Sequence, residues 1–173
     1  IFIDGFGGMT QGLFATLIIG TMIQQIGLLI GGSTGNVIYL LGKAAAALTS
    51  AGIGVGVAVK YGESPLVTVS AAVAAMVGGY AGKITGGTFF VDGNAVLAGP
   101  GEPLGAFIAA FAGITCGHLV SGKTKVDIIV TPVITIGAGS VVGLLVGPPI
   151  SQMMTGLGSI INWATEQRPF IMG

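Results

Sequence analysis

The sequence predicts an all-α membrane protein, and two features of its composition support this prediction. Residues 5–42 contain no Asp, Glu, Lys or Arg, and residues 128–165 contain none either. Charged residues make up 7% of the 173-residue chain, and its mean hydropathy is +0.96. Soluble domains carry about 25% charged residues because their surface must be hydrated. Side chains this apolar are expected to face lipid, so the chain should cross a bilayer several times.

Charge and cysteine content narrow the possible partners and cofactors. Six basic and six acidic residues give a formal net charge of zero, without a basic tract that would bind nucleic acid. Cys116 is the single cysteine, so an internal disulfide is excluded. It lies outside any cluster of metal-ligating residues, and no metal or organic cofactor is expected. Thirty-three glycines within apolar runs predict helices that cross at close range.

About five transmembrane helices are expected, because a span needs about 20 mostly apolar residues. Pro65 and Pro103 favour helix starts, where a proline is best tolerated. The Pro148–Pro149 pair is expected to end the fifth helix. Residues 150–168 mix apolar and polar side chains and predict a C-terminal interfacial helix, with Trp163 at headgroup depth. The five predicted spans are residues 9–30, 36–60, 65–82, 103–121 and 126–146.

The distribution of basic residues favours a cytoplasmic N-terminus. With that orientation Lys60, Lys123 and Lys125 lie on the cytoplasmic side, and Lys83 and Arg168 lie outside. The chain ends in an apolar run, residues 170–173, which suggests a continuation into a further segment. Residues 1–173 are therefore expected to form one transmembrane domain, the N-terminal part of a longer chain.

Residues 83–104 differ from the rest, being too polar for a span and too apolar for an ordinary exposed loop. They predict a re-entrant loop or a broken helix, because irregular backbone at membrane depth must be buried in protein or line a wet cavity. For residues 88–97 a surface hairpin is equally compatible, since Asp92–Gly93 is a turn signal. For residues 99–105 a cavity is favoured, because Glu102 lies between two prolines at a helix start.

The candidate site residues follow from this segment and from the polar turn after residue 121. Glu102 is predicted to accept hydroxyl hydrogen bonds from a polar solute, supplemented by Asn94 and Asp92. Lys123, Lys125 and Asp127 predict a turn that contacts a partner or lipid headgroups. His118 is predicted to lie at a helix end, hydrogen-bonded to a neighbour.

Four stretches resemble the phosphotransferase-system EIIC-like membrane proteins, a family that includes the PfoR-like regulators. They are GLFATLIIGTMIQQIG (12–27), GPGEPLGAFIAAFAG (99–113), SGKTKVDIIVTPVITI (121–136) and INWATEQRPFIMG (161–173). The resemblance implies a bacterial inner-membrane permease-like domain, forming the N-terminal half of its protein. It also implies that phosphoryl transfer belongs to separate soluble components. Glu102–Pro103 resembles the glutamate–proline pair with which sugar-transporting EIIC proteins hold sugar.

The resulting expectation is a permease-like subunit, not itself an enzyme, that moves a small polar solute, in the first place a carbohydrate. Its expected partners are the lipid bilayer, soluble phosphotransferase components and further copies of itself. A second hypothesis is a membrane sensor or regulator of gene expression without transport, signalling through the Lys123–Asp127 turn. A third is a structural subunit of a membrane assembly, because an aromatic content of 7% leaves few rings to stack on a sugar.

Overall fold

The computed structural model describes residues 2–96 and 99–167 and is almost entirely helical. The expectations for residues 97, 168 and 170–173 lie outside the described residues. The elements in chain order are α1 (Phe2–Leu13), a π-helix (Phe14–Ile18), α2 (Ile19–Ile30), α3 (Gly32–Ala47), α4 (Thr49–Lys60), α5 (Pro65–Gly79), α6 (Ala81–Thr85), β1 (Phe90–Val91), β2 (Asn94–Ala95), α7 (Pro103–Val120) and α8 (Asp127–Gln167).

The predicted all-α membrane class is confirmed, and each predicted span has a helical counterpart. Within the described residues, three helices are long and apolar enough to cross a membrane: Ile3–Ile30, Pro103–Val120 and Asp127–Thr165. The pair Gly32–Ala47 and Thr49–Lys60, bent by 51°, provides a fourth if it is one broken span. The helix Pro65–Gly79 has 15 residues and ends at its C-cap, Tyr80. It is therefore shorter than the about 20 residues of a typical span.

The expected helix end at Pro148–Pro149 is wrong. Helix α8 runs for 41 residues and contains Pro132, Pro148 and Pro149. Prolines are tolerated inside membrane helices when neighbouring helices and local adjustments compensate for the missing N–H groups. Residues 150–167 are therefore the last part of α8, with Trp163 64% exposed. Their position at the bilayer interface stays a prediction.

A row of facing glycines packs the first arm, residues 2–30 (α1 to α2), against the second arm, residues 32–60 (α3 and α4), as an antiparallel hairpin. At each pair the backbones are so close that an added Cβ would lie within about 3 Å of backbone atoms of the other helix. The facing pairs are Gly8 with Gly56, Gly12 with Gly52, Gly20 with Gly42, and Gly27 with Gly35. The close helix crossings predicted from the glycine content are thus present at this interface.

The hairpin is irregular at the same level in both of its arms. Between Gly12 and Gly20 the first arm contains the π-helix, a geometry with one extra residue in the turn. The facing arm breaks at Leu48, between α3 and α4. Beyond this level α2 and α3 pack on each other, whereas α4 packs on α5 and α7. The break therefore separates an outer part of the hairpin from the main bundle.

The main bundle consists of α4, α5, α7 and α8, and small side chains fill its centre. Ala71, Ala74 and Ala109 are fully buried, and an added Cβ on Gly78 would lie against Ala109 and the Gly105 carbonyl. Helices α5 and α7 run antiparallel, because Ser64 meets Ser121 at one end and Gly79 meets Glu102 at the other. This antiparallel pair positions the candidate site.

A short hairpin forms within the unusual segment. Strands β1 and β2 pair antiparallel, with Phe90 opposite Ala95 and Val91 opposite Asn94. Asp92 and Gly93 have positive φ angles of 51° and 77°, as a two-residue hairpin turn requires. All four strand residues are exposed. The backbone of residues 90–95 is therefore a hairpin, and its position relative to the membrane stays a prediction.

Candidate functional site

The backbone of residues 99–102 is fixed against α4 and α5 by hydrogen bonds. The Ser50 hydroxyl donates to the Pro100 carbonyl at 3.0 Å, and the Glu102 N–H donates to the Gly79 carbonyl at 2.7 Å. Gly101 has a φ of +75°, and a Cβ there would overlap the Ser50 hydroxyl. Only glycine fits this position, because the backbone is both left-handed and tightly enclosed.

Tyr80 connects the same segment to the break between α3 and α4. Its side chain is 1% exposed, and its hydroxyl lies 3.2 Å from the carbonyl oxygen of Ala47, the last residue of α3. The hydroxyl also contacts the carbonyl oxygen of Gly99. The break in one span and the irregular segment before α7 thus share one buried tyrosine.

A cavity of about 260 Å³ lies where α5, α6, α7 and α8 meet. Ser151 reaches it only because α8 continues past Pro148 and Pro149. The cavity is large enough for a small polar molecule and is lined mainly by backbone rather than by bulky side chains. Its lining residues are Gly79, Gly82, Lys83, Gly99, Pro100, Gly101, Glu102 and Ser151.

Glu102 is the acidic residue of this cavity. Its Oε1 is buried and has no hydrogen-bond partner among the described residues. Burial raises the pKa of the Glu102 carboxyl above its ordinary value of 4.5, and the backbone N–H of Leu104 lowers it in part. A buried acceptor without a donor is unfavourable, so this oxygen is suited to a hydroxyl or a proton supplied from the cavity.

The structure does not bring Asp92 and Asn94 to the Glu102 cavity. Both are exposed on the hairpin, and neither is among the described residues that line the cavity. The Asn94 side-chain amide donates to the Asp92 carbonyl at 3.4 Å, a local bond within the turn. Their participation in solute binding stays a prediction.

The turn before α8 is stabilised by Asp127. Its Oδ1 accepts hydrogen bonds from the Gly122 N–H at 2.9 Å and from the Thr131 hydroxyl at 2.6 Å. Lys123 and Lys125 are exposed on the outside of this turn. Asp127 therefore fixes the backbone, and the two lysines are the side chains available to a partner or to headgroups.

A second polar group, Glu63 with His118, lies at the opposite end of the α5–α7 pair. Of these two residues the sequence singled out His118 alone. His118 was expected to bond to a neighbour, and its Nδ1 lies 3.0 and 3.2 Å from the two carboxylate oxygens of Glu63. Next to them the Ser64 and Ser121 hydroxyls are 3.1 Å apart. Glu63 was missed, although its Gly-Glu-Ser-Pro-Leu context is nearly the same as that of Glu102.

Across the described part of the chain, no group of three or more His, Cys, Asp or Glu side chains is arranged to hold a metal ion.

Comparison with known proteins gives the family. The curated proteins and the solved structures contain no significant match to the chain. A family model described as "Phosphotransferase system, EIIC" matches residues 3–173, nearly the whole sequence. The chain is a membrane protein that belongs to the phosphotransferase system EIIC family.

Proposed function

We propose that this chain is a permease-like subunit that moves a small polar solute, a carbohydrate, across the bacterial inner membrane, with its N-terminus in the cytoplasm. Family membership supports sugar transport, and the apolar helices support the membrane location. The observation that carries the proposal is the buried Oε1 of Glu102, which has no hydrogen-bond partner among the described residues and lies beside a cavity of about 260 Å³.

The chemistry at Glu102 matches a hydroxylated ligand. An ionised carboxylate is an acceptor only, and two neighbouring sugar hydroxyls are donors at a suitable spacing. The backbone around Glu102 is held by Ser50 and Gly79, so the carboxylate is positioned before the solute arrives. Asn94 and Asp92 are proposed as weaker, supplementary contacts, from the hairpin outside the described lining of the cavity.

The test compares two carboxylate-to-amide changes in the full protein reconstituted in proteoliposomes. Glu102→Gln is expected to lower uptake about tenfold or more, since hydrogen bonds to charged groups contribute roughly 1.5–3 kcal/mol. Asp92→Asn is the matched control and is expected to have a smaller effect. The probes are radiolabelled glucose, galactose and N-acetylglucosamine. Wild-type uptake by Glu102→Gln at equal expression would remove Glu102 from the site.

A second candidate is a sensor or regulator that does not transport. The fixed turn at Asp127, with Lys123 and Lys125 exposed, supports a contact with a soluble partner or with anionic headgroups. Wild-type proteoliposomes that bind sugar without accumulating it would favour this function. Loss of signalling in Lys123→Gln/Lys125→Gln, with sugar binding unchanged, would assign the turn to the partner.

Association with further copies of the chain is also proposed, because large apolar side chains are exposed over much of the described surface. Lipid covers such residues equally well, so the number of copies has to be measured. Single-molecule photobleaching in bilayers at low protein density distinguishes a monomer from an oligomer.

A further inference from the structure

The motif that carries Glu102 occurs a second time, at the opposite end of the same helix pair. Residues 62–66 are Gly-Glu-Ser-Pro-Leu and residues 101–104 are Gly-Glu-Pro-Leu. In both copies the glycine has a positive φ, +69° at position 62 and +75° at position 101, and the proline begins a helix. Because α5 and α7 are antiparallel, the two copies are inverted with respect to each other.

Each copy meets the end of the other helix. Glu63 bonds to His118 in the last turn of α7, and the Glu102 N–H bonds to Gly79 at the end of α5. His118 follows its helix-starting Pro103 at the same spacing at which Tyr80 follows Pro65. Inverted-topology repeats recur in membrane transporters. Here the repeated motif lies at the two opposite ends of the α5–α7 pair.

Beside the second copy lies a cavity of about 380 Å³, larger than the one at Glu102. The Glu63 side chain is 9% exposed, whereas His118 is 70% exposed, so the imidazole lies between the carboxylate and the outside. The cavity is mostly apolar apart from this pair and a threonine. Its lining residues are Tyr61, Glu63, Phe111, Ile114, Thr115, His118 and Leu119.

Two aromatic rings distinguish this cavity from the first one. The Tyr61 and Phe111 ring centroids are 6.2 Å apart with an interplanar angle of 59°. A Cβ on Gly5 would lie 2.6 Å from the Tyr61 hydroxyl, so this hydroxyl is directed towards α1. Tyr61 therefore contributes its ring to the cavity, and the hydrogen-bonding groups are those of Glu63 and His118.

We infer that this cavity is a second solute site, for a hydroxylated ring of the monosaccharide class. The C–H face of such a ring packs on aromatic rings, and its hydroxyls bond to the Glu63 carboxylate and the His118 imidazole. The inference rests on the proposed function for the choice of solute. It places one carboxylate site at each end of α5–α7, so that a transported molecule meets both.

A thiol placed in the cavity reports occupancy without measuring transport. Thr115 lines the cavity and is exposed, and its hydroxyl donates to the Phe111 carbonyl of its own helix. The test uses Thr115→Cys in a Cys116→Ser background, in detergent. Maleimide labelling rates are measured with and without glucose, galactose or N-acetylglucosamine. The control is Ser159→Cys in the same background, exposed on α8 outside the cavity.

At least one of the three sugars is expected to slow labelling at position 115 and to leave position 159 unaffected. Adding Glu63→Gln should raise the sugar concentration needed about tenfold, and Glu102→Gln should not change it. The inference is overturned if none of the three sugars slows labelling at 115, or if Glu63→Gln leaves the protection intact.

The two proposals fail in different ways. Protection at position 115 without sugar accumulation in proteoliposomes supports the second site and contradicts the transport function. Glu102-dependent accumulation without protection at 115 supports transport and overturns the second site.

Discussion

The two ends of the α5–α7 pair carry almost the same motif in different environments. At one end Glu63 bonds through both carboxylate oxygens to His118. At the other end the Oε1 of Glu102 has no partner among the described residues and lies at a cavity whose described lining has four glycines and no aromatic side chain. The Glu63 carboxylate joins two helices beside its cavity, whereas the Glu102 carboxyl keeps one oxygen without a partner among the described residues.

One residue accounts for much of this difference. Ser64 stands between Glu63 and Pro65, and its hydroxyl accepts a hydrogen bond from the Val67 N–H at 3.4 Å, which caps α5. In the other copy Glu102 directly precedes Pro103 and occupies the cap position itself, where its carboxyl is close enough to the Leu104 N–H for its pKa to be lowered in part. A serine that caps the helix leaves the neighbouring carboxylate free to reach across to α7.

The largest expected difference between the two ends concerns their glycines. Gly62→Ala should destabilise the protein by about 1 kcal/mol, the cost of a left-handed backbone for alanine. No steric cost is added, because no described atom lies within 4 Å of a Cβ at this position. Gly101→Ala should cost about 3 kcal/mol or more, because its Cβ would overlap the Ser50 hydroxyl and lie 3.1 Å from the Gly79 carbonyl oxygen. Unfolding in mixed micelles measures both, and equal losses would mean that residues 99–102 are not enclosed.

The two glutamates are expected to respond in opposite directions to the same change. Glu63→Gln should lower the free energy of unfolding by about 1 kcal/mol at neutral pH, because the bond to His118 loses its charge. Glu102→Gln should leave stability equal or higher, because a buried carboxyl oxygen without a partner among the described residues is replaced by part of a neutral amide. Equal destabilisation by both changes would show that Glu102 has a structural partner.

Measuring stability over a range of pH tests the expected behaviour of Glu102 directly. The pKa of Glu102 is raised in the folded protein, so the folded state holds its proton at pH values where the unfolded state has lost it. Wild-type stability should therefore fall as the pH rises from 4.5 through the raised pKa, and Glu102→Gln should lack this decrease. Parallel curves for the two proteins in mixed micelles would contradict the assignment.

The smallest expected effects come from the serines that fix each end. Ser50→Ala removes the bond to Pro100, and Ser64→Ala removes the bond to Ser121 and the cap of α5, each at a cost of about 1 kcal/mol. Ser50→Ala should also relieve part of the Gly101→Ala overlap. The double variant is then more stable than additive losses predict, whereas strict additivity would place the strain elsewhere.

Several elements of the fold were predictable because they depend on local sequence. The two uncharged stretches gave the membrane class, since lipid is the only solvent that suits them. Pro65 and Pro103 begin helices as expected, because a proline lacks only an N–H that is unpaired at that position anyway. The end expected at Pro148–Pro149 failed because packing in the bundle, rather than the local proline rule, decides whether a membrane helix continues.

The candidate site was predictable in its central residue and not in its surroundings. Glu102 was found from the prolines around it, whereas Ser151 joins the cavity only because α8 continues. Glu63 was overlooked, because its partner His118 lies 55 residues away in the chain. Asp92 and Asn94 were grouped with Glu102 by their proximity in sequence, and the hairpin turns them outward.

Composition and proline positions by themselves determined that this chain is a helical membrane protein and where two of its helices begin, because solvent preference and backbone chemistry are properties of each residue. Only the tertiary structure decided which of two similar glutamates is paired with a histidine and which keeps a carboxyl oxygen without a partner among the described residues. That outcome depends on the antiparallel packing of α5 on α7, which brings His118 to Glu63 and leaves the Oε1 of Glu102 without a donor in the part of the chain that the structure describes.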